Sequence, residues 1–233
     1  MLLGIYGHSR SGKTELVERL TRTLSKKHKV AVIKHISESG FTIDTPGKDT
    51  HRHAKAGAEL VVASSGDETA YILKRASQLD EMVKWMENYK PDIILVEGFR
   101  SEPIPKVSVG EVKEEKNTVA KYRRKEDFNK VLAYVNETIR IEKILEKLPG
   151  LDCKRCGYLC RDLAALVAKK KKTLKDCKEL PAQDLSVKVN DMEIPMGKFA
   201  KKIISQTMVG LISSLKGTEN AETIEVKIKR GSK

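Results

Sequence analysis

The sequence predicts an α/β fold: a mostly parallel sheet covered by helices, followed by a small Cys-rich module and a C-terminal αβ unit. Three observations predict it. A short apolar run, residues 2–6, leads straight into a glycine-rich loop and then into Leu16, Val17, Leu20 and Leu24 at helical spacing. A second run, Asp92 to Val96, is apolar after its first residue and shows no alternation, as a strand buried on both faces requires. Strand and helix patterns alternate along the first part of the chain, the order that a parallel sheet demands.

Each element has its own signal. Residues 13–27 are expected as the helix after the glycine loop, and residues 29–36 as the second strand. Residues 37–50 read as a polar loop with Gly40, Pro46 and Gly47, and 50–57 as a short helix ending at Gly57. Residues 59–64 and 69–74 read as two strands around Ser65, Gly66 and Asp67. Ser77, with Asp80 three residues on, predicts a helix cap. Leu79, Met82, Val83 and Met86 then form an amphipathic stripe, and Pro91 ends it. Beyond the 92–96 strand, 106–109 reads as another strand and 111–127 as a charged exposed loop. Residues 131–135 read as a last strand and 139–148 as a helix. Pro149-Gly150 marks a boundary, giving expected domains at 1–148, 149–182 and 183–233. The last is read as strand, helix and strand, its helix spanning 197–216 with Gly217 as the C-cap.

The 233 residues carry a formal net charge of +13. From residue 150 onward there are 18 of the 45 Lys/Arg and 10 of the 32 Asp/Glu, so more than half of that charge sits there. Such a balance suits acidic partners, nucleotides and phosphorylated cofactors among them, or a solvated Lys-rich surface. No apolar run approaches the ~20 residues of a spanning helix, so no membrane is expected and a cytoplasmic location is. All four cysteines lie between 153 and 177, which in a reducing compartment reads as metal ligation before disulfides.

The chemistry starts at Gly7-His8-Ser9-Arg10-Ser11-Gly12-Lys13-Thr14, which fits G-x-x-x-x-G-K-[ST]. The glycines let the backbone curl and aim N–H groups at phosphate oxygens, and the following helix adds its positive end. Lys13 is expected on the β- and γ-phosphates and the Thr14 hydroxyl on magnesium. The strand before and helix after the loop supply the context the motif needs. A triphosphate site also needs a strand-end carboxylate, and Glu97 closes the 92–96 run. It is a candidate to bind magnesium or to orient attacking water. Asp44, in the loop after the second strand, is a third catalytic candidate beside Lys13 and Glu97.

Four stretches together, GHSRSGKT, VIKH, FTIDTPGKDTHRHAKAGA and DIILVEGFR, resemble the molybdopterin-guanine dinucleotide biosynthesis protein B family, MobB. They cover most of residues 1–110. The resemblance implies a GTP-binding accessory protein of slow turnover, a homodimer. It would serve a guanylyltransferase-type enzyme that joins GMP to molybdopterin carrying molybdenum or tungsten. It implies GTP with Mg²⁺ at Gly7 to Thr14, Glu97 as the acidic residue, and Asp44, Lys48, Asp49 and Arg52 near phosphate or pterin. GTP rather than ATP comes from the resemblance alone, because the chain has no N-K-x-D guanine-reading motif.

The cysteine spacing is Cys153-x2-Cys156-x3-Cys160-x16-Cys177. Three close thiols with one distant favour a [4Fe–4S] cluster, with Zn²⁺ as the alternative. The flanks, LPGLDCKRCGYLCRDLAALV, resemble the small iron–sulfur domain of corrinoid and related redox proteins, except that three residues rather than four separate the second and third Cys. Rival readings are an ATP-driven redox protein, a basic nucleic-acid binder and a small-molecule kinase. His8 stands where redox ATPases of this kind generally carry an extra lysine, and no nucleic-acid motif accompanies the basic runs, so nucleic acid is not expected.

Overall fold

In the computed structural model the described residues are 1–180, 185–218 and 223–228. The chain divides into two compact units, Met1–Asn136 and Glu137–Lys233.

The first unit is built on β1 (Leu2–Gly7), β2 (Val30–Lys34), β5 (Ile93–Glu97), β6 (Lys106–Val109) and β7 (Thr118–Tyr122), in spatial order β2-β5-β1-β6-β7. Every pairing is parallel. Strand β5, between β2 and β1, is buried at every residue. Helix α1 (Lys13–Leu24) lies against β1 and β5. Its buried Leu16, Val17, Leu20 and Leu24 are the predicted stripe, each contributing roughly 1.5–3 kcal/mol by burial. Glu15 in its first turn and Arg22 in its last complement the helix dipole. Helix α3 (Leu79–Glu87) packs Leu79, Met82, Val83 and Met86 onto Ile33, Ile94 and Val96. Helix α2 (Asp49–Lys55) precedes an antiparallel hairpin of β3 (Leu60–Ser64) and β4 (Thr69–Leu73), a separate two-stranded sheet.

One packing detail fixes the β1–β6 pair. Gly4 stands opposite Lys106 in register. A Cβ at Gly4 would lie 2.8 Å from Lys106 Cγ, so the glycine makes room for the lysine stem. Lys106 is 2% exposed, and its ammonium donates to the carbonyls of Arg100 and Glu102, each at 2.7 Å. Those two bonds satisfy a charge that would otherwise be costly to bury.

Three expectations are corrected here. Residues 131–135 are not a strand but the middle of α4 (Phe128–Leu145), which also absorbs most of the helix expected at 139–148. Phe128, Val131 and Val135 are buried at helical spacing, and that packing decides for the helix although β-branched residues also suit a strand. Part of the expected 111–127 loop is β7, whose alternating burial was obscured by its charged flanks. Ser77 does not cap α3: Gln78 is the N-cap, and the Ser77 hydroxyl accepts from the Arg75 guanidinium instead.

In the second unit α4 continues past the division and α5 (Cys160–Ala168) follows. Leu148, Cys160, Leu163 and Ala164 form its core, with Ile144, Cys156, Tyr158 and Cys177 packed on them. A short hairpin, β8 (Lys188–Val189) with β9 (Met192–Glu193), precedes α6 (Lys198–Ile212). The strand expected after that helix is not formed over 223–228, and the rest of that stretch lies outside the described residues.

Candidate functional site

The glycine loop runs from the carboxyl end of β1 to the first turn of α1. Gly12, its last residue before the helix, has φ 93°, in the left-handed region that a side chain resists. Gly7 is required by packing: an added Cβ would lie 2.5 Å from the Val109 carbonyl oxygen and 2.7 Å from Ser11 Oγ. The loop lines a cavity of about 730 Å³ together with Glu15, Lys34, His35, Ser37, Glu97 and Gly98. Of the eight predicted loop residues, His8 alone is not on that wall; its carbonyl instead accepts from Lys13 Nζ at 2.5 Å. The same ammonium donates to the Gly7 carbonyl at 3.2 Å. Ser11 Oγ is buried and has no hydrogen-bond partner among the described residues. An orphaned hydroxyl in a glycine loop that opens a helix suits a bound oxyanion.

At the end of the cavity Thr14 Oγ1 donates to Glu97 Oε1 at 2.9 Å. Lys34 Nζ donates to the same oxygen at 2.5 Å. Glu97 is 6% exposed, so its carboxylate depends on these partners. The sheet dictates the meeting: Lys34 and Glu97 are register partners at the carboxyl ends of β2 and β5. The pairing of a hydroxyl with a buried carboxylate beside the loop has the oxygen chemistry a magnesium ion takes. Sequence reasoning missed Lys34, although its place at the end of the VIKH strand could have pointed to it.

Beyond Gly98 the chain turns sharply. Gly98 has φ 97°, Phe99 has φ 48°, and the Phe99 and His35 rings meet at a tilt of 59° with centroids 4.7 Å apart. A second hollow of about 430 Å³ shares Gly7, Lys13, His35 and Gly98 with the first.

The other predicted residues lie elsewhere. Asp44 is buried; its Oδ1 accepts from Thr50 Oγ1 at 2.7 Å and its Oδ2 from Lys74 Nζ at 3.2 Å. The Thr50 hydrogen bond, with Lys74 beside it, holds its carboxyl below the usual range against the opposing effect of burial. Lys48 is the N-cap of α2, and Asp49 and Arg52 form an exposed ion pair at 3.3 Å on that helix. None of these four lines the cavity.

The cysteines sit in the second unit. Cys160 opens α5, and its backbone N–H donates to Asp152 Oδ1 at 2.7 Å. Cys156 and Cys177 pack on the same core, while Cys153 is exposed. Burial pushes the Cys177 thiol up, and the other three cysteines push it further, so all four share one electrostatic neighbourhood. That donor set fits an iron–sulfur group or zinc by its chemistry. Among the described residues no three His, Cys, Asp or Glu side chains are gathered closely enough to hold a single ion. No helix among them is long and apolar enough to cross a membrane.

Comparison with known proteins adds the family. Residues 2–137 match the model of "Molybdopterin guanine dinucleotide synthesis protein B", MobB, and residues 148–179 match one described as "Putative Fe-S cluster". A Methanocaldococcus jannaschii protein named "Putative molybdopterin-guanine dinucleotide biosynthesis adapter protein" is 31% identical over 97% of this chain and 97% of its own. A Haemophilus influenzae molybdopterin-guanine dinucleotide biosynthesis adapter protein is 39% identical over 46% of this chain and 61% of its own. Among solved structures, Bacillus subtilis MobB is 21% identical with a TM-score of 0.47, covering 57% of this chain and 96% of that one. With more than half its length matched by the family model and a relative similar along nearly its whole length, this chain belongs to the molybdopterin guanine dinucleotide synthesis protein B family.

Proposed function

We propose that the chain is a cytoplasmic nucleotide-binding adapter for molybdopterin guanine dinucleotide formation, holding GTP with Mg²⁺ on the glycine loop and turning it over slowly. The observation that carries the reading is the cavity itself, lined by seven of the eight loop residues and closed by the Thr14–Glu97 pair. The loop N–H groups and the start of α1 bind phosphate oxygens. Lys13 leaves the Gly7 and His8 carbonyls for the β- and γ-phosphates, and the buried Ser11 hydroxyl gains a partner. Thr14 and Glu97 would hold Mg²⁺, which would offset phosphate charge. The adapter role, the guanine preference and a homodimer serving a guanylyltransferase-type enzyme rest on family membership. So does the placing of Asp44, Lys48, Asp49 and Arg52 near phosphate or pterin.

The cysteines Cys153, Cys156, Cys160 and Cys177 would hold a [4Fe–4S] cluster, with Zn²⁺ as the alternative metal for the same thiolates. A cluster would supply one-electron chemistry or structural bracing. The matched iron–sulfur model and the shared neighbourhood of the four thiols support it.

Calorimetric titration tests the nucleotide half. Wild type should bind GTP–Mg²⁺ in preference to ATP–Mg²⁺. Lys13→Ala should weaken GTP binding by roughly ten- to hundredfold, the worth of one or two charge-assisted hydrogen bonds. Equal affinity of wild type and variant would remove the loop from the function.

A further inference from the structure

Lys34 is a cavity residue to which neither the loop motif nor the family name gives a task. Its ammonium sits on Glu97 Oε1 at 2.5 Å, yet its side chain is 51% exposed and lines the cavity. It can therefore leave the carboxylate without leaving the site. Glu97 is different: at 6% exposed it needs a positive partner at all times. In this structure that partner is Lys34, and Thr14 donates to the same oxygen.

We propose that Lys34 is a γ-phosphate sensor, a residue that discriminates nucleoside triphosphate from diphosphate. The proposal rests on the nucleotide reading above. Thr14 and Glu97 are the pair expected to face Mg²⁺. Once Glu97 is neutralised by a divalent ion it no longer needs Lys34, and two cations at one carboxylate oxygen repel each other. Lys34 then turns to the next anion in its reach. With a triphosphate bound, that anion is the terminal phosphate; with a diphosphate no terminal phosphate is there, and Lys34, half-exposed, turns to solvent. A compact charge on a flexible stem suits such an exchange better than a planar guanidinium. The triphosphate gains by the difference between the two arrangements, and only a ligand with such a differential contact can shift the equilibrium between them.

The test is calorimetry on the full chain with a non-hydrolysable GTP analogue and with GDP, each with Mg²⁺. Lys34→Met should bind the analogue roughly ten- to hundredfold more weakly, while GDP affinity stays within about twofold. Equal losses for both nucleotides, or an unchanged preference, overturn the proposal. Because Lys34→Met strands a buried carboxylate, it is repeated in a Glu97→Gln background, where no charge is left unpaired. There the preference must fall below that of Glu97→Gln alone; an equal preference also overturns it. A wild-type chain that binds both nucleotides equally defeats this proposal alone, whereas one that binds neither defeats the nucleotide reading with it.

Discussion

Asp44 is a loop carboxylate whose surroundings, not its motif, define its immediate work. Its two oxygens tie Thr50 at the start of α2 to Lys74 beyond β4. Its folded pKa is depressed, so its contribution to stability is complete above the ordinary carboxylate value of 3.8 and is lost as pH falls through the lower folded value. Asp44→Asn should therefore melt below wild type at neutral pH, and the gap should close on acidification below that range. Melting curves across pH check this, and a gap that stays constant into acid would contradict it. The sequence showed that this loop carries carboxylates beside a short helix. It could not show the Lys74 contact, because a partner thirty residues away is set by the fold of the hairpin and by no local pattern. Lys34 was only half legible: the end of the VIKH strand marks its place, but its partner comes from the register that sets it beside Glu97, on a strand far away in the chain.

At the scale of elements, the turn after β5 leaves its backbone little room. Gly98 has φ 97°, and a Cβ there would lie 2.7 Å from the Cβ of His35, which has no flexible end to move aside. Gly98→Ala should cost about 1–3 kcal/mol or more in denaturant unfolding; a loss near zero would mean that the turn relaxes. The elements with unambiguous periods were legible. β1 and β5 are unbroken apolar runs, and α1 and α3 carry clean stripes. β7 was not, since five residues with three of them only partly buried or buried at the sheet edge give a weak alternation among charges. Val131 and Val135 were misread because two β-branched residues four apart satisfy a strand composition and a helical face alike, and packing decided for the helix.

At the scale of the whole molecule, two chemistries share one chain: a glycine-loop cavity in the first unit and four thiols in the second. Each has its own hydrophobic core. Anaerobically purified protein should be brown, with iron and inorganic sulfide that Cys153→Ala loses. A colourless protein carrying one zinc would leave the thiols a structural role. The cysteine spacing made this module visible in the sequence, since ligand sets of this kind are local. The net charge of +13 did not discriminate among anionic partners, because a long-range field carries no chemical identity.

The fit of Gly4 against Lys106 also constrains how this family can drift. Enlarging position 4 first would drive a methyl into the lysine stem; shortening position 106 first would strand the carbonyls of Arg100 and Glu102. Either order passes through a handicapped ancestor, so the two positions should be inherited as a linked pair, exchanged together or not at all.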